Sequence, residues 1–177
     1  PAIHAAGWLA ERSPGELGSA WDSALVAVAS VASVDWQTHL PFLADGVNGT
    51  TLATRMAHVG DWYRWSVGDR EYPTTDAALA WLLAELPAET GKPVLCADGR
   101  VAALLDWELA SIGPAGVDLG WWLAFDEFTT RAHGVDPLPG YPDRAATIER
   151  YERLIGRTVE HVRWYEVFCA WVLTVTV

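Results

Sequence analysis

Apolar residues recur every three or four positions in five stretches of the chain, and this spacing predicts five amphipathic helices. On the second of these helices, Arg55, Asp61 and Arg64 are assigned to polar positions. The five stripes are Leu17, Trp21, Leu25 and Val28; Leu52, Met56, Val59 and Tyr63; Leu79, Leu82, Leu83 and Leu86; Ile148, Tyr151 and Ile155; and Trp164, Phe168, Trp171 and Val175.

Capping and helix-breaking residues predict where the third, fourth and fifth helices begin or end. Thr75 is predicted to cap the third helix, which ends before Pro87. Asp143 lies near the start of the fourth helix and Gly156 just past its end, and Thr158 is predicted to cap the fifth. The second side of the fifth helix is also apolar, through Tyr165, Cys169 and Val172. We therefore expect the fifth helix to be buried all round.

Evidence for strands is confined to one region. Residues 93–96 and 101–106 are short β-rich runs, and Ala97-Asp98-Gly99-Arg100 separates them. An Asp-Gly pair between two apolar runs is a strong signal for a hairpin. The pattern thus predicts a mainly helical domain with one small β-hairpin near residues 93–106.

Composition narrows the function classes. The net charge is −11, with 12 basic and 23 acidic residues, which argues against nucleic acid as the main partner. No apolar run is long enough to span a membrane, and no signal peptide opens the chain. Hydrophobic residues make up 51% of the chain, and its two cysteines do not form a disulfide framework. A soluble, cytoplasmic protein without a membrane partner is the expectation.

Two carboxylates are candidates for a functional site. Asp106 follows an apolar strand, and Asp118 opens an apolar helical run twelve residues later, after a turn at Gly113-Pro114. A carboxylate at a strand end is held rigidly, and it can bind Mg²⁺ that bridges nucleotide phosphates. Asp118 could equally be a plain helix N-cap, and Asp106 alone could be structural.

This segment resembles the metal-binding motif of the aminoglycoside phosphotransferase and choline-kinase-like families, especially the branch linked to acyl-CoA dehydrogenases. The motif is Asp106-Trp107-Glu108, then Gly113-Pro114, then Asp118-Leu119-Gly120. The resemblance covers nearly the whole of residues 1–177. It implies a protein-kinase-like α+β fold, of which this chain is the mainly helical C-terminal lobe.

The resemblance also implies roles for residues. Asp106 would be the Mg²⁺ ligand, and Asp118 would support the catalytic loop. Glu108 lies in the motif, and we assign it only to the vicinity of the cofactor. The implied activity is transfer of phosphate from ATP, or another nucleoside triphosphate, to a hydroxyl group of a small molecule, either an aminoglycoside-like compound or another metabolite. Trp62, Trp121 and Glu127 are candidates for lining its substrate pocket.

The sequence departs from the family at one junction. The family inserts a His-Gly-Asp catalytic loop with a metal-binding Asn where Cys96 here runs directly into Ala97. The nucleotide-binding lobe has no counterpart either, since the one lysine, Lys92, lacks the context of a phosphate-anchoring residue. We favour an omitted loop, with a chain break between Cys96 and Ala97, and expect the chain by itself to be inactive. The alternatives are a catalytically inactive kinase-like binding domain and an unrelated helical ligand-binding protein.

Overall fold

A computed structural model describes residues 11–46, 49–88, 94–96 and 110–176. Within them the chain forms seven α-helices, two short strands and two 3₁₀ turns, at Pro41–Asp45 and Arg131–His133. The helices and strands are α1 Pro14–Val31, α2 Trp36–His39, α3 Leu52–Val67, α4 Pro73–Ala84, β1 Val94–Cys96, β2 Ser111–Gly113, α5 Gly116–Thr129, α6 Arg144–Ile155 and α7 Val162–Thr176.

Helix α5 lies at the centre of this arrangement and makes its most extensive contact with α7. On one side, Val117 and Trp121 join a core cluster built with α3, α4 and α7. On the other side, Leu119 and Leu123 join a second cluster with α1 and α6. Because α5 supplies residues to both clusters, it is the element against which the other long helices are positioned.

The apolar stripes of α1 and α3 are confirmed, since every predicted core position on these two helices is buried. The start of α1 carries a capping box, in which Ser13 and Glu16 exchange hydrogen bonds. The predicted boundaries of α6 are confirmed as well. The Asp143 side chain accepts a hydrogen bond from the Ala146 N–H at 2.8 Å, and Gly156 ends the helix with φ of 69°.

Two predicted caps are wrong. Helix α4 begins at Pro73, so Thr75 lies inside it, and its carbonyl accepts a hydrogen bond from Trp171 Nε1. Proline suits the first helical turn because its fixed φ and missing N–H cost nothing there. Helix α7 begins at Val162 instead of just after Thr158, because His161 adopts a positive φ of 57° immediately before it.

Helix α7 is not buried all round. Its predicted apolar positions are buried, except for Val175, which is partly buried, but a stripe that includes Arg163, Ala170 and Thr174 is exposed. Alanine and threonine along this stripe do not distinguish a solvent-facing side from a packed one in the sequence. The exposed stripe faces the cavity described below.

The strand at residues 94–96 is confirmed. It pairs antiparallel with β2, with Val94 opposite Gly113 and Cys96 opposite Ser111. The sequence pattern predicts only a turn at Gly113, because β2 is three residues long and buried throughout, and so has no alternation of apolar and polar residues. The predicted partner strand at 101–106 and the Cys96–Ala97 junction lie outside the described residues. Among the residues that are described, no helix has both the length and the apolar character needed to cross a membrane.

Candidate functional site

The turn from β2 into α5 positions Asp118. Helix α5 begins at Gly116, directly after Pro114 and Ala115, and Asp118 lies in its first turn. The N-cap residue is Ala115, which contributes no side-chain hydrogen bond, so the interpretation of Asp118 as the N-cap is wrong. The Asp118 side chain is nevertheless well placed, because a carboxylate in the first turn interacts favourably with the helix dipole. Asp118 is only 3% exposed.

Two glycines on α5 let α7 approach unusually closely. A Cβ atom added to Gly120 would lie 2.6 Å from the carbonyl oxygen of Tyr165, and one added to Gly116 would overlap the Tyr165 ring. Real Cβ atoms do not approach other atoms so closely. At position 120, where the contact is with backbone, only glycine fits without moving a helix, and at position 116 the Tyr165 ring would have to move. Close packing therefore explains the glycine in the Asp118-Leu119-Gly120 motif. This packing holds the first half of α5 against α7.

Arg55 is a buried charged residue that the sequence analysis assigned to a polar position. It lies on α3, is 6% exposed, and donates a hydrogen bond from Nη1 to Ser111 Oγ on β2. Its guanidinium also lies over the ring of Phe168 on α7, 5.5 Å from the ring centre. Arg55 thus joins α3, β2 and α7 at one point. The signal was present, since Arg55 falls three residues after Leu52 and four before Val59, on the buried stripe.

Arg55 and Asp118 are the buried charged side chains within the described part of the chain. Each has further interactions beyond those described above. A charge is expensive to bury unless other groups compensate it, so each of these two side chains indicates ordered polar surroundings. Arg55 contacts β2, the strand that follows the segment containing Asp106 and Glu108. That segment lies outside the described residues.

A cavity of about 530 Å³ opens at the other end of α5. It lies between the start of α4, the second half of α5, the start of α6 and the exposed stripe of α7. Its lining residues include three arginines and three carboxylates, namely Arg131, Arg144, Arg163, Asp126, Glu127 and Glu166. The positive and negative charges are thus equal in number, but they are not equally exposed to solvent.

The charges on the cavity wall are arranged in pairs. Arg144 donates two hydrogen bonds to the Glu166 carboxylate, from Nε and from Nη2, both at 2.7 Å. These hydrogen bonds raise the pKa of Arg144 above its usual value. Arg163 approaches the same carboxylate at 3.8 Å, and Arg131 pairs with Glu127 at 3.0 Å. Glu166 is largely covered, with its side chain 11% exposed, whereas the Arg144 and Arg163 side chains are 53% and 78% exposed.

An adjoining cavity of about 740 Å³ is mainly apolar. Phe125 and Phe128 of α5 line it together with Leu173 of α7. The two cavities share lining residues, which are Ala124, Glu127, Arg131, Ala170 and Thr174. Together they form one depression with a charged end near Glu166 and an apolar end near Phe128.

The predicted site residues fall in different places. Trp121 is 4% exposed and stacks on Phe125 in the core, with ring centres 5.5 Å apart. Trp62 lies on the surface of α3, 37% exposed, and lines neither cavity. Glu127 lines both cavities. Asp118 lies eight residues before Asp126 on the same helix, which corresponds to about 12 Å along its axis.

A metal site needs several ligating side chains close together. Between residues 11 and 176, leaving out 47–48, 89–93 and 97–109, no three His, Cys, Asp or Glu side chains lie close enough together to hold a metal ion. The predicted Mg²⁺ ligand, Asp106, belongs to the last of these gaps, and its role stays a prediction.

Two comparisons with known proteins bear on this arrangement. The family model described as the phosphotransferase enzyme family matches residues 1–157. Among solved structures, the fold is similar to that of a "putative aminoglycoside phosphotransferase" from Ralstonia eutropha JMP134, with a TM-score of 0.76 and 23% sequence identity. The match covers 93% of this chain and 56% of the other, so this chain spans just over half the length of that protein. The likeness confirms the kinase-like fold.

Proposed function

The chain belongs to the phosphotransferase enzyme family, and from this premise we propose that it is the C-terminal lobe of a protein that transfers phosphate from ATP to a hydroxyl group of a small molecule. The intact protein would contribute the nucleotide-binding lobe and the catalytic loop. The proposal concerns the type of reaction and does not name the acceptor.

The observation that carries this proposal is the buried Asp118 in the first turn of α5. An aspartate buried in the first turn of a helix, five residues after a strand, needs a reason other than solubility. A carboxylate that supports a catalytic loop must itself be held on a fixed backbone. Gly116 and Gly120 fix the backbone of this turn, because they allow α7 to pack tightly against it.

In this proposal Asp106 would hold Mg²⁺, and Glu108 would lie close to the bound nucleotide. The metal ion would neutralise charge on the transferred phosphate. Asp118 would hold the loop that orients the acceptor hydroxyl. Among the candidates for substrate contact, Glu127 is supported by its position on the cavity wall, whereas Trp62 and Trp121 lie away from it.

The experiment compares Asp106→Asn with Asp69→Asn in the intact protein. Asp69 is an exposed carboxylate just after α3 and is the matched control. We expect Asp106→Asn to abolish the rise in melting temperature caused by ATP with Mg²⁺ and to reduce phosphate transfer by orders of magnitude, because the amide loses the charge that binds a hard cation. The unliganded melting temperature should stay nearly unchanged. Full transfer activity in Asp106→Asn would refute the proposed site.

A second candidate function is a kinase-like domain that binds ligands without catalysis. The observation that favours it is the direct passage from Cys96 to Ala97, where the family has its catalytic aspartate and asparagine. The gene sequence across this junction separates the two candidates. A gene that encodes an additional loop with His-Gly-Asp would support catalysis, whereas a gene that matches the present junction would support binding alone.

A further inference from the structure

The charged end of the depression presents more accessible positive charge than negative charge. Arg144 and Arg163 both face the single Glu166 carboxylate, which accepts two hydrogen bonds from Arg144 and is largely covered. A guanidinium has five N–H donors, and Arg144 directs only two of its donors to Glu166. The Arg163 contact at 3.8 Å is too long for a hydrogen bond. Donors on both arginines therefore remain available to a ligand.

The other charged side chains of the cavity wall do not cancel this excess of accessible positive charge. Glu127 is paired with Arg131 at 3.0 Å, which leaves that part of the wall close to neutral. Asp126 is exposed and lies near Tyr141, whose pKa is raised chiefly by burial and further by this carboxylate. A polycationic ligand would need carboxylates that are free to contact it, and Glu166 and Glu127 are both already paired with arginines.

The opposite end of the depression is apolar. Phe125, Phe128 and Leu173 line it, and Phe128 is 46% exposed. Exposed aromatic surface beside a cavity of about 740 Å³ offers space and area for a hydrocarbon chain. Because the two cavities share part of their walls, one ligand could extend from the arginines to the phenylalanines.

We propose that this depression binds an amphiphilic monoanion, whose anionic group pairs with Arg163 and Arg144 and whose apolar part lies against Phe128 and Leu173. A carboxylate suits the planar guanidinium groups, which can donate two parallel hydrogen bonds to it. The proposal does not rest on phosphate transfer, since it requires neither nucleotide nor metal.

The test is calorimetric titration of the intact protein with octanoate, in the absence of nucleotide. Octylammonium and octanol, which have the same chain with a positive or a neutral head group, serve as matched ligands. We expect octanoate to bind, octanol to bind more weakly and octylammonium not to bind. Shortening the acid by one methylene should weaken binding by about fourfold if the chain is buried. Absence of octanoate binding at millimolar concentration, or tighter binding of octylammonium, would overturn the proposal.

Variants locate the binding site. Arg163→Gln should weaken octanoate binding by up to about fivefold, as expected for loss of an exposed ion pair. Arg153→Gln is the control, since Arg153 is an exposed arginine of α6 that pairs with Glu149 and lies outside both cavities. Phe128→Ala should reduce the dependence of affinity on chain length. Equal effects of Arg163→Gln and Arg153→Gln would contradict the assignment. Because no nucleotide is present, failure here would leave the proposed phosphate transfer untouched, and the reverse holds as well.

Discussion

The two halves of α5 differ sharply in how deeply their side chains are buried. From Gly116 to Trp121 every residue is buried, and two glycines bring α7 into direct contact with the helix. From Asp126 to Phe128 the side chains are exposed and line cavities. A single helix therefore connects a tightly packed end, which holds Asp118, with an open end that lines both cavities.

In the proposed phosphotransferase, the two halves of α5 would meet two different requirements. The first is rigid positioning of Asp118, and the second is side chains that can vary with the ligand. The tightly packed end tolerates little change, because a shift of the first turn would move Asp118 and β2 together. The open end can vary its side chains without disturbing the core. We therefore expect substitutions in the first half of α5 to affect stability and chemistry, and substitutions in the second half to affect ligand selection.

The largest expected effect on stability follows from adding one methyl group to the tightly packed end. Gly120→Ala places a Cβ atom against the Tyr165 carbonyl, so α5 and α7 must separate. We expect a loss of about 1–3 kcal/mol in the free energy of unfolding, measured by urea denaturation. Gly15→Ala in α1 is the control, because nothing lies within 4 Å of its new Cβ atom, and it should cause no loss. Equal stability of the two variants would contradict the close contact.

The second prediction concerns the buried arginine beside β2. Arg55→Met keeps much of the side-chain volume but removes the hydrogen bond to Ser111 and the contact with Phe168. The free energy of unfolding should fall by about 2 kcal/mol, since the polar groups left behind lose a charged partner. Arg64→Met, at a 58% exposed side chain on the same helix, should change it by less than about 0.5 kcal/mol. A stability of Arg55→Met equal to the wild type would show that Arg55 does not hold these elements together.

The third prediction concerns pH and the interface of α3 with α4. The Tyr63 hydroxyl donates to Asp76 at 2.6 Å, and burial, followed by this hydrogen bond, raises the Tyr63 pKa from 10.0 to about 12. The folded state therefore holds this proton more tightly than the unfolded state, so the stabilisation is complete below pH 10 and is lost between pH 10 and about 12. Tyr63→Phe should remove this part of the pH dependence of the free energy of unfolding. An unchanged slope in Tyr63→Phe would contradict the shift.

The smallest effect on stability is expected at the open end. Glu127→Gln removes a carboxylate whose side chain is 57% exposed and whose pairing with Arg131 is exposed to solvent. The free energy of unfolding should change by less than about 1 kcal/mol. If the substrate occupies the cavity, the KM for the acceptor should change while kcat stays nearly constant, as measured by steady-state kinetics. A large loss of stability would place Glu127 with the tightly packed half instead.

The sequence predicted the parts of the fold in which one side of a helix is apolar and the other polar. The stripes of α1 and α3 and the boundaries of α6 belong to this group, since their periodicity and caps are local signals. Helix α7 was harder, because its alanine and threonine positions do not reveal which side faces the cavity. Strand β2 is too short and too completely buried to carry a pattern.

The candidate site was predictable to a smaller extent. The motif around Asp118 was visible in the sequence, but the burial of Asp118 was not. The close packing that requires glycine at position 120 depends on the position of Tyr165, which is distant in the chain. Arg55 was assigned to a polar position because charged residues are rarely buried, although its spacing from Leu52 and Val59 placed it on the core side. The Arg144–Glu166 pair of the cavity joins α6 to α7, which the sequence alone cannot align. The Arg163–Glu166 and Arg131–Glu127 pairs are local, three and four residues apart in the chain.

The most direct test of the account compares Asp118→Ala with Ser13→Ala in the intact protein. Both residues lie at helix starts, and Ser13 is the N-cap of α1, away from the proposed site. Ser13→Ala should cost about 1 kcal/mol of stability and leave phosphate transfer unchanged. Asp118→Ala should cost a similar amount of stability and lower kcat by about 10-fold to 100-fold, the loss typical of groups that support a metal centre. If both variants lose equal stability and Asp118→Ala retains full kcat, Asp118 is only a structural residue and the proposed site is wrong.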